Sequence, residues 1–208
     1  ARNQLAAESE CIRSLATINT VIGTRNYNFT ALNTGVSATN GIQQPINVRS
    51  ILYAVGSGQK WMRPRSWEWF QFYALNNPVP PSGAPQRWAQ FSQGATGSFY
   101  IDPLPDTVYA LTCDCPCLPI PLVDNTTVEA IPPLWTDAVS YFASYLALLS
   151  AQSGARSAEA NRMYERYEEF MNRARRFSNP SVTRYIYEQE RDPTTANKLG
   201  IAPRQSSG

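Results

Sequence analysis

Histidine is absent from the 208-residue chain. Ser–His and Cys–His nucleophile pairs need an imidazole base, and many zinc sites need an imidazole ligand. The absence therefore excludes these catalytic pairs and every metal site that contains histidine. The sequence also has no Gly-rich phosphate loop, no kinase lysine motif and no nucleophile elbow. We therefore expect no enzymatic activity, no catalytic residue, no cofactor and no bound metal.

Long apolar runs are missing as well. No run approaches the roughly 18 residues that are needed to span a membrane. The start of the chain, residues 2–10, is polar and lacks the pattern of a signal peptide. We therefore expect a chain that is made in a cytoplasm and has no membrane partner.

Acidic residues are scarce in one long stretch, although the net charge of the whole chain is only +2. Between residues 11 and 101 the only acid is Glu68, and seven basic residues give this region a net charge of +6. The favoured interpretation is scattered surface charge, balanced by acids that folding brings close. The seven basic residues are Arg13, Arg25, Arg49, Lys60, Arg63, Arg65 and Arg87.

The clearest positive signal is a helical hairpin over residues 132–177. Pro132 and Pro133 suit a helix entrance, and Gly154 stands where a C-terminal cap is expected. Asp137 is the only charge between residues 135 and 152, so we expect the first helix to be buried on most sides. Spacings of four, three, four and three place five apolar residues on one stripe of this helix: Trp135, Val139, Phe142, Leu146 and Leu149.

The second helix of the hairpin is amphipathic. Charged residues occupy one face, including the i,i+4 pair Glu169 and Arg173, and Pro180 ends the helix. The opposite face is an apolar stripe: Ala160, Met163, Tyr167, Phe170, Ala174 and Phe177. The predicted hairpin core therefore consists of Trp135, Val139, Phe142, Leu146, Leu149, Met163, Tyr167 and Phe170.

Short strands are predicted before the hairpin. Runs rich in β-formers, separated by turns roughly every 8–12 residues, indicate an antiparallel sheet, sandwich or barrel-like unit. These runs are residues 17–32, 46–58, 66–75, 87–94, 98–103 and 108–115, and residues 5–15 form a candidate short helix. The predicted fold class is α+β, with a mainly β unit (1–131), the helical hairpin (132–177) and an extended C-terminal arm (178–208).

The arm carries more apolar side chains than a solvated tail usually does. They are Tyr185, Ile186, Tyr187, Leu199 and Ile201. Two interpretations stay open: a binding arm that becomes ordered on a partner, and a plain frayed terminus.

Three cysteines alternate along one predicted strand, Cys113, Cys115 and Cys117. Alternate residues of a strand share a face, so the three thiols line up. A structural zinc site needs four ligands in CxxC-type spacing, and only Cys11 remains elsewhere. A disulfide between residues i and i+2 is sterically awkward. The favoured interpretation is a set of buried free thiols that behave as small apolar residues.

Two further groups allow a functional and a structural interpretation. Asp102, Asp106 and Asp114 lie close in sequence, but the segment from Asp102 to Asp106 favours a turn over paired carboxylates. An aromatic group could form a platform for a sugar or a base, although core and interface packing is favoured. This group consists of Trp61, Trp67, Trp69, Phe70, Phe72 and Tyr73.

The order of features over residues 46–178 resembles one known family. The shared elements are a P-x-x-W-A strand start (residues 85–89), a P-x-P-D turn (103–106), an I-P-x-x-W helix start (131–135) and an amphipathic second helix. In this order they resemble the head-to-tail adaptor proteins of tailed bacteriophages, in particular those of podoviruses.

This resemblance implies a structural virion protein of the neck, assembled in the host cytoplasm. Copies are expected to form a ring, typically twelvefold, beneath the portal protein and to connect it to a tail or nozzle protein. Viral DNA would pass through the lumen without sequence readout, and the C-terminal arm would reach the portal. The alternative is a tail or cell-wall-binding module that binds carbohydrate on an aromatic β surface. An exposed aromatic row would favour that alternative.

Overall fold

An antiparallel β part followed by a helical hairpin makes up the computed structural model of the protein, which describes residues 1–34, 41–56, 58–150 and 154–178. The predicted α+β class is therefore confirmed, while the predicted arm after residue 178 lies outside the described residues. The helices are α1 (Arg2–Ser9), α2 (Trp67–Trp69), α3 (Thr136–Ser150) and α4 (Gly154–Ser178). The strands are β1 (Arg13–Asn19), β2 (Asn26–Asn28), β3 (Ile42–Pro45), β4 (Ser50–Val55), β5 (Gly58–Trp61), β6 (Arg63–Pro64), β7 (Arg87–Phe91), β8 (Ser98–Asp102) and β9 (Ala110–Pro119).

Strand β9 is the centre of the first sheet, whose order is β1-β9-β4-β5. It pairs antiparallel with β1 on one side and with β4 and then β3 on the other. Pro116 lies where the partner changes from β4 to β3, and its carbonyl accepts from Ile46 N–H at 2.8 Å. A proline in a central strand removes a ladder donor, and this break between partners accommodates the loss.

The second sheet has the order β2-β8-β7-β6. The predicted hairpin of residues 87–103 is confirmed as the antiparallel pair β7–β8, with Arg87 opposite Asp102 and Phe91 opposite Ser98. The predicted β-like run 17–32, in which a turn was expected at Gly23 and Thr24, divides into the end of β1, the short β2 and a 3₁₀ turn at Phe29–Ala31. The two halves of that run therefore belong to different sheets.

Residues 66–75 were predicted as a strand, and that prediction is wrong. They form α2, which continues as a π-helical segment over Phe70–Leu75. Ser66 caps the helix, because its Oγ accepts a hydrogen bond from Trp69 N–H at 3.3 Å. Phe70 and Ala74, four residues apart, are buried. The cap and this helical spacing outweigh the strand preference of the aromatic residues.

The predicted N-terminal helix is correct only in its first part. Helix α1 ends at Ser9, Glu10 adopts a left-handed conformation (φ 52°), and β1 begins at Arg13. Leu15, the last residue of the predicted helix, is instead an exposed residue of β1. Leu5 and Ala6 are fully buried and belong to the main core.

The hairpin helices α3 and α4 are joined by aromatic contacts. Ring centroids lie 4.6 Å apart for Phe142 and Tyr167, and 4.9 Å apart for Tyr145 and Tyr164. The predicted Glu169–Arg173 ion pair is present. Gly154, predicted to cap the first helix, is instead the first residue of α4.

Helix α3 is less buried than its sequence predicted. Ala138 is its one buried residue in the part of the chain that the structure describes. Leu146 and Leu149 were predicted to belong to the hairpin core. They are 46% and 48% exposed, so this part of the prediction is wrong. The physical reason is position, because only the first two turns of α3 pack against the core. Trp135, Val139, Phe142 and Phe170 pack there, Tyr167 is buried, and Met163 is half-buried.

Helix α1 connects the sheet to the hairpin. Tyr167 donates its hydroxyl hydrogen bond to the Glu8 carboxylate at 2.9 Å, and Arg175 Nε donates to the Glu8 carbonyl at 3.0 Å. Burial and the bond to Glu8 raise the pKa of the Tyr167 hydroxyl, which therefore stays a neutral donor. At the other end, Arg2 donates to both carboxylate oxygens of Glu129 at 2.9 and 2.7 Å. Both ends of the short helix are therefore fixed by residues distant in sequence.

We predict that Tyr167→Phe lowers the free energy of unfolding by about 1 kcal/mol, because the Glu8 carboxylate loses its donor. Tyr167→Ala should cost about 3–5 kcal/mol, because it also leaves a cavity between α1 and the hairpin. Urea unfolding measures both, and Tyr73→Phe at an exposed site is the matched control. A Tyr167→Phe protein as stable as the parent would show that the hydrogen bond contributes nothing.

Candidate functional site

The three alternating thiols are buried and free, as the sequence predicted. Burial raises the pKa of Cys113 to about 12 and that of Cys117 to about 11, and it raises the pKa of Cys115 as well. Cys115 Sγ donates to the Cys113 carbonyl at 3.6 Å. A cysteine that acts as a nucleophile or a metal ligand must be a thiolate. Because burial keeps these three thiols neutral, they act as apolar side chains in the core of the sheet.

The carboxylates that were close in sequence are separated in the structure. Asp102 is buried and Asp106 accepts from the Tyr109 hydroxyl at 2.7 Å. Asp114 forms an ion pair with Arg13 on the sheet. Among the described residues no group of three or more Cys, Asp or Glu side chains is placed to hold a metal ion.

Folding brings acids to four of the seven basic residues, as predicted. Arg13 pairs with Asp114, and Arg49 pairs with Glu10 at 3.1 Å. Arg25 and Arg87 share the buried Asp102 at 3.7 and 3.4 Å. The other three are Lys60, Arg63 and Arg65, and none of them pairs with a carboxylate in the part of the chain that the structure describes.

These three cations lie together and define a basic patch, which also includes Trp61 and Arg87. Lys60 and Trp61 end β5, Arg63 begins β6, and Arg65 follows it. A cleft of about 320 Å³ opens there, lined by Tyr53, Lys60, Trp61, Arg63, Gln86 and Arg87. The surface is therefore concave, positively charged and partly aromatic.

Two guanidinium groups of the basic patch are held over one indole ring. The Cζ atoms of Arg65 and Arg87 lie 5.5 and 5.2 Å from the ring centroid of Trp69. Such contacts are worth about 0.5–1 kcal/mol at exposed sites. They favour conformations in which both guanidinium groups lie over the Trp69 ring.

The predicted aromatic group does not stay together on one face. Phe70 is buried, and Trp67 and Trp69 pack partly buried against it. Trp61, Phe72 and Tyr73 are 63%, 71% and 68% exposed. The predicted core packing therefore holds for one half of the group, whereas the other half lies on the surface.

The hairpin also exposes apolar side chains to solvent. We define the hairpin surface by Leu134, Leu146, Leu149 and Phe177, of which Leu134 and Phe177 are about three-quarters exposed. The predicted arm residues Tyr185, Ile186, Tyr187, Leu199 and Ile201 lie outside the described residues.

The basic patch was not predicted, because residues 66–75 were expected on a strand and not on a helix that packs against β7. The sequence signal for this patch is the closely spaced group Lys60, Arg63 and Arg65, near which Glu68 is the only acidic residue.

The surfaces described above are suited to binding macromolecular partners and include no assembled catalytic group. No helix in the described residues is both long and apolar enough to cross a membrane. No curated protein matches the chain in sequence. The family model described as SU10 adaptor protein matches residues 1–185, which is most of the chain. The chain therefore belongs to the SU10 adaptor protein family, and it is a structural adaptor component of a bacteriophage virion.

Proposed function

We propose that copies of this chain form a closed ring in the neck of the virion, between the portal protein and the tail. The adaptor family supports association with portal and tail components. In this proposal the ring extends the portal channel, viral DNA passes through its lumen without sequence readout, and the chain has no enzymatic activity. Twelve copies are the number that the family resemblance implies.

The observation that carries this proposal is the exposure of an apolar helix. Helix α3 has 15 residues, of which Asp137 is the only charged one. Burial of apolar surface is favourable by about 25 cal/mol per Å². A helix of this composition is normally buried on most sides, yet in the single chain its second half is not. Neighbouring copies that cover the hairpin surface would supply the missing burial.

A ring needs two different complementary faces on every copy, because its contacts are heterologous. The hairpin surface provides one candidate. The other is an apolar cluster on the β part, Val21, Ile22 and Val108, with exposures of 59%, 63% and 58%. Two hydrogen bonds between Thr20 and Tyr109, at 2.9 and 2.7 Å, hold these segments together. We propose that this cluster meets the hairpin surface of the next copy.

The arm of residues 178–208 is proposed to bind the portal protein. Its apolar side chains, Tyr185, Ile186, Tyr187, Leu199 and Ile201, would become ordered there and bury surface that a free tail leaves in water. We therefore propose that the arm makes the portal contact, and that the hairpin and the β unit make the contacts between copies.

The exposed Trp61, Phe72 and Tyr73 support a second candidate function, carbohydrate binding by a tail or cell-wall-binding module. Aromatic rings on a surface can stack on sugar rings. The three cations of the basic patch, Lys60, Arg63 and Arg65, do not favour a neutral sugar, so this remains the weaker candidate.

We predict a one-to-one ratio of this chain to the portal protein in purified particles of the source virus. Quantitative mass spectrometry with labelled peptides from both proteins measures it, and the major capsid protein is the internal control. A ratio that corresponds to threefold or sixfold symmetry would place the chain in the tail and favour the carbohydrate candidate. Absence from the particle would contradict both.

We predict that deletion of residues 181–208 leaves the folded part intact and abolishes portal docking. The described core ends at residue 178, so the thermal unfolding midpoint should change little, whereas co-sedimentation with assembled portal should be lost. Replacing the five apolar arm residues by serine in the full-length chain is a second variant with the same expected effect. Full docking by the truncated chain would show that the arm is not the portal contact.

A further inference from the structure

Strand β5 is an open edge of the first sheet. Within the described strands its only partner is β4. Met62 N–H donates to the Ile51 carbonyl at 2.9 Å, which makes Leu52 and Trp61 a non-hydrogen-bonded pair. The peptide groups of Gln59 and Trp61 therefore point away from β4. They offer a ladder of donors and acceptors to another extended chain.

This edge is exposed along its whole length, since all four residues of β5 are exposed. Proteins usually cover such an edge, shorten it or charge it, because unpaired strands invite pairing with other chains. Lys60 and Arg63 charge this edge positively. Two β5 edges would therefore repel each other, so the charge disfavours pairing between copies through β5 and selects for an acidic partner.

The surroundings of the edge fit a peptide better than a nucleic acid. The 320 Å³ cleft lies beside β5 and is lined by Tyr53 and Trp61 as well as by cations, and none of its described lining residues is acidic. A strand that adds to β5 would place alternate side chains near this cleft. A phosphate backbone would contact the cations but would leave the peptide groups of Gln59 and Trp61 without partners.

We propose that the basic patch and the β5 edge bind an extended acidic segment of another polypeptide, which adds to the sheet as a strand. Main-chain hydrogen bonds would supply affinity, and Lys60, Arg63 and Arg65 would supply selectivity for carboxylates. The proposal goes beyond the ring function because it assigns a surface and a ligand chemistry. It also stands without the ring, since its test needs no other virion protein.

The test is fluorescence anisotropy with the full-length chain and a labelled peptide of about ten residues that alternates glutamate with valine or threonine. We expect saturable binding, together with slower hydrogen exchange at the amides of Gln59 and Trp61. A peptide with glutamine for glutamate should bind at least about tenfold more weakly, since it lacks the charge. A peptide with N-methyl groups at alternate residues should also lose binding, because it cannot form the ladder.

Two double variants lower the net charge of the chain by the same amount at different places. Lys60→Glu combined with Arg63→Glu should weaken binding of the acidic peptide at least about tenfold. Arg162→Glu combined with Arg176→Glu, on the exposed face of α4, should leave it unchanged. Thermal unfolding of both variants checks that they fold.

Three results would overturn the proposal. The first is no binding of the acidic peptide. The second is equal binding of the N-methylated peptide or full competition by a short DNA duplex, which would indicate a general polyanion surface. The third is an equal effect of the two double variants, which would show that net charge, and not the β5 edge, controls binding.

Discussion

The pairing of β9 on both sides is the constraint on which the rest of the structure depends. Its alternate residues Leu111, Cys113, Cys115 and Cys117 are fully buried, and its register with β1 and β4 is continuous. A slip by one residue would bring Asp114 and the polar Thr112 to the buried face. Helix α1 packs against β9, and α4 packs against α1, so the position of the hairpin follows from this one strand.

Some apolar and aromatic side chains of this protein form its core, whereas others stay exposed and are available to partners. The first two turns of α3 contribute to the core, whereas Leu146 and Leu149 further along remain exposed. The same division occurs among the aromatic residues, where Phe70 is buried and Trp61 is exposed. A structural adaptor must bind several neighbours at once. An apolar hairpin surface and a basic patch at a sheet edge differ in chemistry, so they suit different neighbours.

The sequence predicted those elements that local pattern determines. Turn residues and the alternation of side chains were sufficient to predict the β7–β8 hairpin. The spacing of Cys113, Cys115 and Cys117 was sufficient to predict that they share a buried face. The strand predicted over residues 66–75 failed because aromatic residues suit both strands and buried helix faces, and the Ser66 cap decided the outcome. Helix α1 is weakly amphipathic. Its position between the sheet and the hairpin depends on partners that are distant in sequence, such as Tyr167, and local pattern does not indicate them. The exposure of Leu146 could not be predicted either, because an apolar stripe has the same pattern whether its partner lies in its own chain or in another.

The proposed ring requires that neighbouring chains in the virion cover the hairpin surface. The most direct test replaces Leu146 by cysteine in a Cys11→Ser background and measures the rate of maleimide labelling, once in the dilute free chain and once in assembled particles. The remaining native thiols, Cys113, Cys115 and Cys117, are buried and do not compete. We expect rapid labelling in the free chain and strong protection in the particle. Equal labelling rates in both would contradict it.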